Sequence, residues 1–219
     1  MTETISAVVV NYNAGELLLA CVQSLLACPI VAEIIVVDND SHDSSLEAIQ
    51  AFPKVSIIRN SQNLGFATAC NQGIRLARSQ SILFLNPDCT FVKGTLMQIA
   101  QCLDNDERIG MAGGCLVNPD GSEQAGSRRS IPTPWRSFVR AFGLYRLENR
   151  WPRLFFDFNQ LNQPMPSGPT EMEALSGACM LVKREAIEDV GLWDEDYFLH
   201  CEDLDWCMQI GRASCRERV

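Results

Sequence analysis

Along the first third of the chain, apolar positions follow two alternating rhythms. Residues 5–10 (Ile-Ser-Ala-Val-Val-Val) form the nearly continuous apolar run expected of a strand buried on both faces. Residues 16–27 then place Leu17, Leu18, Cys21, Val22 and Leu25 at spacings of three and four, the period of one helical face. The alternation repeats: 33–38 reads as a strand, 43–51 as a helix, 55–59 as a strand, 66–78 as a helix and 81–85 as a strand. Strands separated by helices predict an α/β fold with a mostly parallel central sheet flanked by helices, because parallel neighbours need a crossover between them.

The rhythm lapses from Asn118 to Thr170, where Pro132, Pro134, Pro152, Pro164, Pro166 and Pro169 fall among glycines, arginines and aromatics. This predicts an irregular basic and aromatic insertion over 118–172. A strand-like run returns at 173–182, and a helix is expected to start near Glu202. The predicted organisation is one domain over 1–210, followed by a tail at 211–219 that has no apolar period and reads as truncated or foreign.

In open parallel sheets, ligands bind beyond the carboxyl ends of the strands. Three polar clusters fall there: Asn11-Tyr12-Asn13, Asp38-Asn39-Asp40-Ser41 and Asn86-Pro87-Asp88. Each alone is an ordinary turn or helix cap, but three converging on one edge point to a site.

Charge narrows the chemistry. With 27 acidic against 18 basic residues and a net charge of -9, the chain lacks the basic surface of a general nucleic-acid binder. No Gly-x-Gly-x-x-Gly follows the first strand and no Gly-x4-Gly-Lys-Ser/Thr occurs, so neither common phosphate cradle is present. An acidic protein can still hold a diphosphate through Mg²⁺ or Mn²⁺, which takes one or two carboxylates and completes its shell with phosphate oxygens; Asp88, at a strand end, suits that role. The first residues lack a secretory pattern and no apolar run reaches a membrane span, so a cytoplasmic protein is expected. The 10 cysteines are scattered through apolar stretches without a Cys-x-x-Cys pair and read as reduced packing residues.

Val-Val-Asn-Tyr-Asn (9–13), Val-Asp-Asn-Asp-Ser-x-Asp-Ser (37–44), Asn-x-Gly-Phe-Ala-x-Ala-x-Asn-x-Gly (63–73) and Leu-Asn-Pro-Asp (85–88) together resemble family 2 glycosyltransferases. So do Ser-Gly-Ala (176–178) and the segment 191–205 with its Glu202-Asp203 pair, and the likeness is strongest to the rhamnosyltransferase-like branch. The resemblance implies a GT-A-type fold and inverting transfer from a nucleoside-diphosphate sugar, rhamnose included, to a glycan or lipid-linked acceptor. By position it gives Asn11, Tyr12, Asp38, Asn39, Asn63, Gly65 and Asn71 to the nucleotide side. Asp88 matches the last acid of a metal-binding Asp-x-Asp motif whose first position here is Asn86. Asp203 and Glu202 match the catalytic pair, with Asp205 a further candidate, and Ser176, Gly177, Trp193 and His200 fall on the acceptor side. Gly65 and Gly73 read equally as backbone requirements or ligand contacts. Trp193 and Trp206 read first as packing and second as a face for a sugar ring.

Seven arginines between Arg128 and Arg153 face a single acid, Glu148, with Trp135, Phe138, Phe142, Tyr145 and Trp151 interleaved. That segment reads either as a basic amphipathic helix on an anionic membrane or as a helix packing its aromatics on the core. Two other readings of the whole chain stand beside glycosyl transfer: a sugar-1-phosphate nucleotidyltransferase, which would need a Gly-rich basic loop where Asn11-Tyr12-Asn13 stands, and a non-catalytic sugar-nucleotide or membrane-binding module.

Overall fold

All four strands predicted before residue 90 form, and they lie side by side. A computed structural model describes residues 4–148, 150, 151, 154, 155, 164–166, 168–199 and 201–216, with side chains to residue 211. Strands β1 (Ile5–Asn11), β2 (Val31–Asp38), β3 (Val55–Arg59) and β4 (Ser81–Leu85) are mutually parallel. Two later strands, β5 (Met111–Gly113) and β8 (Cys179–Lys183), complete a sheet ordered β3-β2-β1-β4-β8-β5, in which β8 runs against both neighbours.

The apolar run of β1 is explained by burial on both faces. Side chains alternate along a strand, so Ile5, Ala7 and Val9 join one core with Leu18, Cys21, Val22 and Leu25 of α1 (Glu16–Leu26). Leu96, Ile99, Ala100 and Leu103 of α3 (Thr95–Asp104) complete that layer. Val8 and Val10 face the other core, with Ala67, Cys70 and Ile74 of α2 (Phe66–Leu76) and Trp206 and Ile210 of α6 (Glu202–Arg216). The short helix α5 (Arg184–Val190) adds Ala186 and Ile187. At Gly73 an added Cβ would lie 2.3 Å from Val8 Cγ1, so this glycine sets how closely α2 lies on β1 and is not a ligand contact.

Two predicted elements turn out differently. The helix expected over 43–51 is a series of turns, with backbone bonds such as Glu47 N–H to Ser44 O and Phe52 N–H to Ile49 O. The Asp43 carboxylate accepts from the Ser45 N–H and hydroxyl, a local bond that competes with a helical start. Leu46 and Ile49 are still buried, so the apolar spacing that resembles a helix anchors the turns to the core. The run at 173–182 is divided by the turn at 176–178: Ala174–Leu175 (β7) leaves the main sheet to pair with Arg128–Arg129 (β6), and only β8 joins the sheet.

The segment predicted as irregular contains a helix, α4 (Pro134–Ala141), started by Thr133, whose side chain accepts the Arg136 N–H, and by Pro134 in its first turn. Only Val139 of α4 is buried, while Trp135 and Phe138 are about half exposed and Phe142 is 68% exposed. The aromatics therefore do not pack on the core as one sequence reading expected; they stack on one another, Trp135 on Phe138 at 5.6 Å and Phe138 on Phe142 at 4.5 Å. No helix of the described residues is long and apolar enough to cross a membrane. Cys21, Cys70, Cys179 and Cys207 are buried and unpaired, and burial pushes the Cys21 thiol up to about 12 and those of Cys179 and Cys207 to about 11.

Candidate active site

The chain moves from β1 to β2 to β3 in one direction and then places β4 on the far side of β1, so the strand order reverses between β1 and β4. Loops leaving β1 and β4 diverge at such a point and leave a crevice above the carboxyl ends. Asn11 ends β1 and Asn86 follows β4, which puts two of the three polar clusters on its rims.

On the β1–β2 side, Asn11 is buried and its Nδ2 lies 2.7 Å from Asp38 Oδ1, 2.9 Å from Ser45 Oγ and 3.0 Å from Ser41 Oγ. Asp38 Oδ2 accepts the Ser41 N–H. Asn11 Oδ1, also buried, has no partner among the described residues and is an acceptor left over by the fold. Tyr12 is 53% exposed and forms an open wall beside this pocket.

Asn39 and Asn71 differ from their predicted roles. Asn39 is 2% exposed and both ends of its amide are used: Nδ2 donates to Gly65 O at 3.1 Å, and Oδ1 accepts from Asn60 Nδ2 at 2.9 Å. It braces the pocket from beneath. Asn71 donates to Trp193 O and Glu195 Oε1 and accepts the Trp193 N–H, which commits its amide to the loop after α5. Asn71 is thus a clamp for that loop, because a buried amide with its donors and acceptor engaged has little left for a nucleotide. Trp193, expected on the acceptor side, is 2% exposed and lies against Phe66, Phe84 and Trp206, so it is a core residue. His200 lies outside the described residues.

Asn63 Oδ1 accepts the Gly65 N–H at 3.0 Å, closing the turn into α2. Gly65 has φ +86 and ψ 170, a region almost confined to glycine, and a Cβ there would stand 2.6 Å from Phe198 O. Close approach lets Phe66 donate its N–H to Phe198 O at 3.1 Å. The nucleotide-side turn therefore touches the loop that leads into Glu202 and Asp203.

The β4 side meets the same acids by another route. Asn86 donates its N–H to Ala178 O, and the neighbouring Gly177 donates its N–H to Asp203 Oδ2 at 3.0 Å. Arg129 Nη2 pairs with that same oxygen, and Asp203 Oδ1 accepts the Leu204 N–H at 2.8 Å. Ser176 Oγ accepts the Ala178 N–H, holding the turn. Glu202 and Asp203 are both buried, whereas Asp205 accepts from Gln209 one turn along α6. Arg129 had no place among the predicted site residues, since it reads only as part of a basic stretch; the strand pairing β6–β7 brings it here. Ser45, Asn60 and Gln72 were missed as well, being ordinary turn and helix residues until the fold places them around Asn11 and Asn39.

Asp88 is exposed at the crevice, and no Arg, Lys or His pairs with it among the described residues. No group of three or more His, Cys, Asp or Glu side chains suited to a metal occurs among them either. This donor set cannot cage an ion, but it fits a Mg²⁺ or Mn²⁺ that takes one carboxylate and an amide oxygen and fills its shell from a diphosphate. Burial, with Asp88 and Cys179 adding, pushes the neighbouring Cys89 thiol up to about 12.

The described sequence matches the family model "Glycosyl transferase family 2" over residues 6–191. It is 29% identical to the N-acetylglucosaminyl-diphospho-decaprenol L-rhamnosyltransferase of Mycobacterium tuberculosis, an alignment spanning 97% of this chain and 72% of that protein. It is 25% identical to the dTDP-rhamnosyl transferase RfbF of Shigella flexneri, over 95% of this chain and 64% of the relative. Among solved structures, the fold is similar to the mannosyltransferase PcManGT from Pyrobaculum calidifontis in complex with GDP-Man and Mn²⁺, with a TM-score of 0.67 at 17% identity. It is also similar to GalNAc-T7 with UDP, GalNAc and Mn²⁺, with a TM-score of 0.66 at 19% identity. The chain is covered to 96% and 95% in these, yet spans only 52% and 40% of their lengths.

Proposed function

Since the chain belongs to glycosyl transferase family 2 and has a GT-A fold, we propose that it transfers a sugar, rhamnose foremost, from a nucleoside diphosphate to a glycan or lipid-linked acceptor with inversion. The observation that carries this reading is the short backbone link from Asn86 through Ala178 and Gly177 to Asp203, which sets a diphosphate-side turn beside a buried carboxylate. The nucleotide occupies the pocket of Asn11, Asp38 and Tyr12, with the buried Asn11 Oδ1 as an acceptor for a base or ribose donor.

Asp203 is the general base. The acceptor hydroxyl gives its proton to the carboxylate as its oxygen bonds to the anomeric carbon, and the bond from that carbon to the diphosphate breaks on the opposite face. Asp88 and the Asn86 amide oxygen would hold Mg²⁺ or Mn²⁺, which when bound offsets charge on the departing diphosphate. The exposed aromatics of α4 rest on an anionic membrane at its cytoplasmic face, where a lipid-linked acceptor would be found.

A thermal-shift screen of dTDP-, UDP- and GDP-sugars with Mn²⁺ identifies the donor, because a ligand that binds only the native state raises Tm. dTDP-rhamnose is expected to give the largest shift and Asp88→Ala to remove the Mn²⁺-dependent part. With the selected donor, Asp203→Asn should lower turnover by roughly 10² or more while the donor shift survives. Near-parental turnover in Asp203→Asn together with loss in Glu202→Gln would move the base to Glu202.

A further inference from the structure

Arg129 lies 74 residues before Asp203 in sequence, yet its Nη2 pairs with Asp203 Oδ2. Pairing of β6 with β7 aligns Arg129 with Ala174, two residues before the Ser176-Gly177-Ala178 turn. Nη2 also donates to Leu175 O at 3.0 Å, which fixes the guanidinium against that turn. Arg128 cannot take this place, because successive side chains on a strand point to opposite faces; it pairs instead with Glu123 at 2.7 Å.

Three donors from three elements therefore hold one carboxylate: Arg129 from β6, the Gly177 N–H from the turn and the Leu204 N–H from the start of α6. They are shared unequally. A carboxylate oxygen offers about two lone pairs, and on Oδ2 the Arg129 and Gly177 donors occupy both. Among the described residues Oδ1 receives Leu204 alone and keeps one lone pair.

We propose that Arg129 is a positioning residue: with Gly177 it occupies Oδ2 of Asp203 and so leaves Oδ1 as the atom that takes the acceptor's proton. This rests on Asp203 being the base. Around the carboxylate stand Arg129, the adjacent Glu202 and Cys207, whose thiol is held neutral by burial near 11 and carries no charge at neutral pH. Arg129 is then the one cation facing Asp203 among the described residues. In sequence this arginine belongs to a stretch that reads either as a membrane-facing helix or as one packing its aromatics on the core; the fold sets it against Asp203.

The test compares the full chain with Arg129→Lys, Arg129→Ala and Asp203→Asn, measuring kcat and donor KM across pH with dTDP-rhamnose and an N-acetylglucosaminyl-diphosphate lipid. Arg129→Ala should lower kcat by roughly 10- to 100-fold, the scale of a misplaced catalytic group, with donor KM nearly unchanged. Added guanidinium should restore part of the turnover of Arg129→Ala and none of Asp203→Asn, and Arg129→Lys should fall between parent and Ala. An Arg129→Ala protein with parental kcat overturns the proposal, as does a loss of kcat in Arg129→Lys and Arg129→Ala that follows the fraction unfolded alone. If Asp203→Asn keeps turnover, the base assignment fails, and that outcome is separate from the result for Arg129.

Discussion

Asn71 ties separate parts of the chain together through one buried amide. Its three bonds to Trp193 and Glu195 tie α2 to the loop that precedes the acidic pair. Asn71→Ala leaves the buried Trp193 N–H and C=O without these partners, at about 1–3 kcal/mol for a buried group left unsatisfied. In a domain of this size that corresponds to a fall in Tm of about 2–4 °C per kcal/mol. Denaturation should show this loss with nucleotide affinity largely retained in the folded protein. A parental Tm coupled with lost nucleotide binding would restore the ligand role read from the motif.

At the scale of elements, α4 is the least committed helix of the described chain. It buries Val139 alone and presents Trp135, Phe138 and Phe142 to solvent. The seven arginines that suggested an electrostatic surface are partly spent: Arg128 pairs with Glu123, Arg129 with Asp203 and Arg136 with Glu173. Membrane attachment as proposed should therefore depend more on aromatic insertion than on charge. Trp135→Ser with Phe138→Ser and Phe142→Ser is expected to abolish co-sedimentation with phosphatidylglycerol–phosphatidylcholine vesicles, while raised salt weakens the parent only in part. Complete release of the parent by salt, with the triple variant still bound, would reverse that ranking. The turns at 43–51 carry the complementary lesson: Leu46 and Ile49 have helical spacing, but local bonds from Asp43 to Ser45 leave no helical start to propagate.

For the molecule as a whole, the proposed donor pocket and the proposed catalytic pair are joined at two places, Phe66 N–H to Phe198 O and Asn86 N–H to Ala178 O. Binding of the donor should accordingly be felt at the acidic pair. Hydrogen exchange with dTDP-rhamnose and Mn²⁺ should slow at Phe66 and at Asn86 as well as around residues 11–13. Protection confined to 11–13 would mean that the two halves act independently.

The sequence alone determined the four strands to residue 85, the helices that follow the first and third of them, the parallel sense of that sheet and the polar clusters at its carboxyl edge. These depend on local periodicity and on where strands stop, which short stretches of chain encode. It also proposed Asp203, Glu202 and Asp88 as parts of one chemistry, of which Asp88 alone lies within residues 6–191 that the family model matches. Tertiary structure decided the rest. Whether Asn39, Asn71 and Trp193 face a ligand or the core depends on partners up to 124 residues away, and no local pattern records that distance. Arg129 became part of the site only when two-residue strands paired across the region that reads as irregular, because such pairing is set by the surrounding packing and not by a period.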